Sequence, residues 1–282
     1  MTAKRTDLRA IVPGIFFFLV VATASASLRG VEKERSMKYP DAPKSETVDV
    51  YHGARIADPY RPLEDPDAPA TVSWVEAENK VTFKFLEAIP ERPALRKRLT
   101  ELWDYEKFGV PSQEGGRLFY THNTGLQNQG VLFTADGPDR PASPLLDPNT
   151  LSTDGTVALA GTAASEDGKY LAYGIAAAGS DWNEWKVRDV ASKKDLADHV
   201  KWVKFSTATW TPDGKSFFYG RFPEPRAGDD FKGANYDQKV YQHQLGTDQG
   251  KDRIVWEDPE HKDWQASPTV TEKPAVSSVC VA

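Results

Sequence analysis

Two runs of apolar residues in this chain open on the same polar turn. Ser165-Glu166-Asp167-Gly168-Lys169 leads into Tyr170-Leu171-Ala172-Tyr173, and Thr211-Pro212-Asp213-Gly214-Lys215 leads into Ser216-Phe217-Phe218-Tyr219. An Asp-Gly-Lys turn before a short aromatic and aliphatic run predicts a turn feeding a buried strand. The two turn glycines are 46 residues apart (214 − 168), and a weaker copy, Gly115-Gly116-Arg117-Leu118-Phe119-Tyr120, lies 52 residues before the first (168 − 116). A period of about 50 with several short strands per unit is the signature of propeller blades. Strands are predicted at Arg117 to Thr121, Gly130 to Thr134, Val157 to Leu159, Tyr170 to Ile175, Glu184 to Val190, Phe205 to Trp210, Phe217 to Arg221 and Lys239 to Gln244. That density fits about three blades of four strands, too few to close a ring. A further copy is due after Gly214, yet Thr271-Glu272 runs into Lys273-Pro274-Ala275 with no Asp-Gly turn. The expectation is a chain that stops inside a repeat array and is part of a larger protein.

Before Tyr105 the period is different. Val72, Val75, Asn79, Thr82 and Leu86 follow helical spacing up to a break at Pro90 and Pro93, and Leu95, Leu99 and Leu102 continue as a second helix. Such helices bury their apolar stripes only against a partner, and nothing later in the chain reads as one. Upstream, Tyr39 to Pro69 is rich in turn dipeptides such as Asp58-Pro59 and Asp65-Pro66, which predicts an extended arm wrapping a surface.

Composition narrows the function classes. With 282 residues, 39% hydrophobic and 27% charged, the chain is globular material. The net charge of −6 and the scattered bases argue against nucleic-acid binding. Residues 1–26 read as a signal peptide: Lys4, Arg5 and Arg9 precede the apolar run Ile11 to Ala22, and Ala24-Ser25-Ala26 supplies small residues for cleavage. The run is short for a spanning helix, so membrane attachment is expected only if residues 11–26 remain as an anchor. The expected location is secreted, periplasmic or in the secretory pathway; it becomes cytoplasmic if translation starts at Met37. Cys280 is the only cysteine, which rules out an internal disulfide and a thiolate metal cluster.

Candidate chemistry is sparse. His52, His122, His199, His243 and His261 lack metal-ligand spacing, so structural or surface roles are expected for them, with neither metal nor cofactor. Glu64-Asp65-Pro66-Asp67 lacks the glycine and alternation of a calcium loop and reads as a solvated turn. Trp182, Trp185, Trp202, Trp210, Trp256 and Trp264 recur once or twice per repeat, as inter-blade packing aromatics do, although a stacking surface is the other reading. No Gly-x-Ser-x-Gly nucleophile motif occurs in the chain.

Taken together, several stretches resemble the prolyl oligopeptidase family of serine peptidases. The stretches Tyr51-His52-Gly53, Ala57-Asp58-Pro59-Tyr60-Arg61 and Leu63-Glu64-Asp65-Pro66 look like its N-terminal signature. Asn123 to Gln129, Leu146-Asp147-Pro148-Asn149, Asp154 to Leu159, Gly179-Ser180-Asp181-Trp182, Val203-Lys204-Phe205-Ser206 and Gln238-Lys239-Val240-Tyr241 look like its early blades. The resemblance covers Lys38 to about Thr271 and implies a mainly β fold. It implies residues 39–104 as the N-terminal segment of an α/β-hydrolase peptidase domain and 105–271 as a partial seven-bladed propeller, which leaves 1–26 as the signal peptide read above, 27–38 as linker and 272–282 as an atypical tail outside the family pattern. The implied partners are short proline-containing peptides, cleaved after proline by the complete protein, and the hydrolase domain that would cover Leu95, Leu99 and Leu102. In the family the serine, aspartate and histidine triad belongs to that other half, so this chain alone is expected to be inactive. Phe205 matches the family position that lines the pocket for residues upstream of proline; core packing on a strand is the alternative for it. Pro62 stands where the family usually has tryptophan. The alternative function is a stand-alone partial propeller that binds peptides or a partner without catalysis.

Overall fold

The computed structural model describes residues 37–226, 233–271 and 277–281. The signal-peptide and anchor expectations for residues 1–26 lie outside the described residues, as does the linker up to residue 36. The chain divides into two compact units, Met1–Leu95 and Arg96–Ala282.

In the first unit the expected extended arm is folded back on itself. β1 (Val48–Tyr51) and β2 (Ala54–Ala57) form an antiparallel hairpin with Tyr51 opposite Ala54. The two turn residues, His52 (φ 50°) and Gly53 (φ 85°), are both left-handed, as a two-residue type I′ turn requires. A residue–Gly pair between short apolar runs was the available signal. A 3-10 turn at Arg61–Glu64 follows, and the Arg61 guanidinium bonds both Asp49 on the hairpin and Asp58 before the turn, which holds its pKa above the usual arginine value. Helix α1 (Pro69–Glu87) starts on a proline, whose fixed φ and missing N–H suit the first helical position. Its buried residue, Thr71, donates its hydroxyl to the Pro62 carbonyl at 3.2 Å. Helix α2 (Arg92–Trp103), which runs from the end of this unit into the start of the next, takes Pro93 into its first turn, so the break falls before Arg92.

The second unit is built from antiparallel sheets. The first runs β3 (Lys107–Phe108), β5 (Arg117–Asn123), β6 (Val131–Ala135) and β7 (Ser143–Leu146), with β4 (Ser112–Glu114) also pairing β5. The second runs β8 (Val157–Ala164), β9 (Tyr170–Ala177), β10 (Asn183–Asp189) and β11 (Lys194–Val203). The third runs β12 (Thr209–Trp210), β13 (Ser216–Arg221), β14 (Lys239–Gln244) and β15 (Arg253–Trp256). β16 (Ala266–Val270) pairs with β17 (Ser277–Val281), so part of the expected atypical tail forms a strand. These three sheets, of five, four and four strands, are blades 1, 2 and 3; with the two-strand fourth sheet they give an incomplete propeller of about three blades, and the described residues form no closed barrel.

The repeated turns have one hydrogen-bond scheme. Asp167 Oδ1 accepts from Ser165 Oγ (2.8 Å) and the Lys169 amide (3.1 Å), while Ser165 Oγ accepts from the Tyr170 amide (3.0 Å). Asp213 Oδ1 accepts from Thr211 Oγ1 (2.7 Å) and the Lys215 amide (3.1 Å), while Thr211 Oγ1 accepts from the Ser216 amide (3.2 Å). The weaker copy is a different turn: Gly115 (φ 55°) and Gly116 (φ 81°) make a two-residue hairpin linking β4 to β5.

Successive residues of a strand point to opposite faces. In β9, Leu171 and Tyr173 join Phe119, Leu132, Leu145 and Leu146 of blade 1, whereas Ala172 joins Trp210, Phe217 and Tyr219 of blade 3. In β13, Phe217 and Tyr219 face blade 2, while Phe218 packs with Val240 and Ala266 toward β16. Both faces of these strands are buried, and so they read as continuous apolar runs rather than alternating ones.

Candidate functional site

The link from β11 to β12 holds a bulky side chain in a left-handed backbone. Phe205 has φ 53° and Trp202, at the end of β11, has φ 64°; such conformations cost roughly 1–3 kcal/mol for residues other than glycine. Fixed contacts on either side offset that cost. The Phe222 amide donates to the Trp202 carbonyl at 3.0 Å. Lys204, 7% exposed, donates its ammonium to Asn235 Oδ1 at 3.0 Å and lies 3.9 Å from the centre of the Trp182 ring. Ser206 Oγ accepts from the Gly220 amide at 2.7 Å. Between these anchors Phe205 is 54% exposed. The expected strand Phe205 to Trp210 is only Thr209–Trp210, and Phe205, left-handed and 54% exposed, is not packed into the core from a strand.

Phe205 lines a groove of about 490 Å³ together with Ala160 on β8, Ala176 on β9, Ser180, Asp181 and Pro268 on β16. The turn between β9 and β10 shapes its wall. Ala178 (φ 51°) and Gly179 (φ 72°) reverse the chain, the Ser180 amide donates to the Ala177 carbonyl at 2.9 Å, and Ser180 Oγ accepts from the Trp182 amide at 3.1 Å. Trp182 meets Trp202 edge-on at 5.7 Å and Phe222 at 6.3 Å, so the turn and the Phe205 loop share one aromatic footing. An exposed aromatic ring, hydroxyls, a carboxylate and small residues make a surface suited to recognising an extended ligand.

One group of perturbed titratable side chains, Tyr173, Arg188 and Asp195, lies beside the seam between blades 1 and 2. Burial and the Asp195 carboxylate push the Tyr173 phenol up to about 12. Arg188 bonds Asp195 through Nε (2.7 Å) and Nη2 (3.1 Å) and donates Nη1 to the Leu145 carbonyl at 2.7 Å, tying blade 2 to blade 1. Burial alone would raise the Asp195 pKa; Arg188 and Tyr173 outweigh it and hold it below the usual value. Among the described residues no group of His, Cys, Asp and Glu is placed to hold a metal ion. His122, His199 and His261 each bond one carboxylate, from Glu106, Glu184 and Asp258. His243 is buried between two, Asp198 and Asp252, which its sequence neighbours do not disclose. Of the tryptophans, Trp185 and Trp210 are the buried inter-blade rings expected, while Trp264 is 40% exposed and stacks on His261.

A family model described as "Prolyl oligopeptidase, N-terminal beta-propeller domain" matches residues 40–276. The chain belongs to the prolyl oligopeptidase family. It is 38% identical over 239 residues to a prolyl endopeptidase of Elizabethkingia meningoseptica, an alignment covering 84% of this chain and 34% of that protein. It is 37% identical over 267 residues to prolyl oligopeptidase A of Galerina marginata, covering 83% and 36%. A solved structure of prolyl oligopeptidase B from Galerina marginata, bound to a 35mer hydrolysis and macrocyclization substrate, matches with a TM-score of 0.76 at 28% identity, covering 87% of this chain and 37% of that one. The chain thus spans about a third of the length of these relatives. Two of the stretches that carry the prolyl oligopeptidase resemblance join one blade to the next through a glutamine amide. Gln129 donates Nε2 to the Val157 carbonyl and accepts the Leu159 amide, both at 2.9 Å; Gln238 accepts the buried Ala266 amide at 2.6 Å. Backbone groups of β8 and β16 thereby gain side-chain hydrogen-bond partners from the preceding blade.

Proposed function

We propose that this chain is the substrate-admitting part of a prolyl oligopeptidase-type serine endopeptidase that cleaves short peptides after proline. In this reading Phe205 packs on the substrate residues upstream of proline, and the exposed stripe of α2 seats against the hydrolase domain that carries the triad. The observation that carries the reading is the Phe205 loop: a strained backbone, anchored on both sides, that holds an aromatic ring out into a groove. Fully burying a phenylalanine ring contributes roughly 1.5–3 kcal/mol. In a chimera joining this chain to the remainder of the Elizabethkingia prolyl endopeptidase, Phe205→Ala is expected to raise KM for a Gly-Pro chromogenic peptide about tenfold or more, with kcat changed less. An unchanged KM in an otherwise active chimera removes the pocket assignment.

The nucleophile in this reading lies outside these 282 residues, since they hold no Gly-x-Ser-x-Gly motif. The purified chain alone is therefore expected to hydrolyse no Gly-Pro chromogenic peptide above background. Turnover that survives repurification and is blocked by a serine-directed phosphonate would overturn this.

A further inference from the structure

His243 on β14 is wholly buried, and both of its ring nitrogens face carboxylates that are themselves buried. Nδ1 is 2.8 Å from Asp252 Oδ1, and Nε2 is 3.0 Å from Asp198 Oδ1. A neutral imidazole carries one N–H and one bare lone pair, so in that form one nitrogen would face a carboxylate oxygen without a proton between them. The imidazolium donates to both. Asp198 lies on β11 of blade 2, whereas His243 and Asp252 belong to blade 3, so this pair of bonds crosses the seam between blades.

The surroundings favour the charged form. From β13, the Tyr219 hydroxyl donates to Asp252 Oδ2 at 2.6 Å and receives Gln249 Nε2 at 3.2 Å, and Phe217 packs on the imidazole with centroids 5.1 Å apart. From the turn after β14, the Gly246 amide donates to Asp198 Oδ1 at 2.6 Å. Arg221 lies over Tyr241 at 4.8 Å, Asp248 accepts the Gly250 amide, and Lys251 ends the turn before Asp252. Among the described residues His243 is the one cationic group paired with either carboxylate. Two buried carboxylates with one imidazolium sum to −1; loss of the proton leaves −2 in the seam, where burying unpaired charge is costly.

We propose that Asp198, His243 and Asp252 form a proton-dependent clasp between blades 2 and 3, closed while His243 is an imidazolium and weakened when it loses its proton. β11 runs from Asp198 directly into the strained Trp202 and the Phe205 loop, so opening the clasp loosens the base of one wall of the groove. Burial alone would lower the His243 pKa; the two carboxylates outweigh it and raise the value above 6.5. A raised folded-state pKa gives a contribution fully present below 6.5 and lost as pH rises through the folded value. The device therefore closes in acid and relaxes on the alkaline side.

The test is ¹⁵N NMR of the histidine rings in the unmodified chain, together with thermal melts of the chain and of His243→Gln from about pH 6 to about pH 9. The clasp predicts one histidine that titrates above 6.5 and carries protons on both ring nitrogens below that titration, assigned by its loss in the variant. It also predicts a Tm that falls by roughly 2–4 °C or more as that proton leaves, with the fall absent from His243→Gln. A His243 that titrates at or below 6.5, or a variant with the same pH slope as the unmodified chain, overturns the proposal. If His243→Gln does not fold, Asp198→Asn replaces it in both assignment and melts, with a flattened slope expected and an unchanged one counting against the clasp.

Discussion

At Gly168 the backbone and the space around it impose separate demands, and Gly214 separates the two. Both residues are left-handed, with φ 67° and 63°, in turns with the same hydrogen bonds. A Cβ at Gly214 would meet Asp167 Oδ1 at 3.6 Å, ordinary contact, whereas one at Gly168 would stand 2.6 Å from the Glu114 carbonyl oxygen of blade 1. Gly214→Ala should therefore cost the conformational term alone, about 1 kcal/mol, and Gly168→Ala about 2–4 kcal/mol because two blades must also part. Urea midpoints of the two variants measure the difference; equal losses would show that the blade 1 contact yields freely. The turn itself was legible from Asp-Gly-Lys, since that chemistry is local. The crowding at Gly168 was not, because Glu114 is 54 residues away (168 − 114).

Among the elements, β9 shows what a strand buried on both faces implies. Leu171 is 1% exposed against blade 1 and Ala172 is 0% exposed against blade 3. Leu171→Ala should cost about 2–5 kcal/mol by leaving a cavity, and Ala172→Leu about 1–3 kcal/mol by overpacking the opposite seam. A half-exposed strand would tolerate one of the two, so a Cm unchanged in either variant would contradict burial on that face. The apolar runs of β9 and β13 were readable in the sequence because both faces demand apolar residues. β11 was not read, although at 10 residues it is the longest strand among the described residues, because Lys194, Asp195, Asp198, His199 and Lys201 break its pattern. Those charges have partners that only the fold supplies: Arg188 for Asp195, His243 for Asp198 and Glu184 for His199. The same blindness hid the two carboxylate contacts of His243, while Phe205 was named as a candidate through family resemblance and not through any periodicity.

For the whole molecule, the decisive quantity is apolar surface left without a partner. On α2, Leu95, Leu99, Leu102 and Trp103 are 59%, 64%, 53% and 66% exposed, and the spacing places the three leucines on one stripe. A contiguous exposed stripe of this kind favours association, so the isolated chain is expected to self-associate as its concentration rises. Sedimentation velocity across a concentration series measures this, and Leu95→Glu, Leu99→Glu and Leu102→Glu combined should return the chain to monomer. The same triple change should leave the main unfolding transition within about 0.5 kcal/mol, because no residue of α2 is buried and exposed substitutions ordinarily cost no more than that. If association persists in the triple variant at unchanged stability, the sticky surface lies elsewhere, and the open edge of the incomplete propeller is the next place to look. A large loss of stability would instead mean that the stripe is already packed within the isolated chain, against the exposure of its leucines.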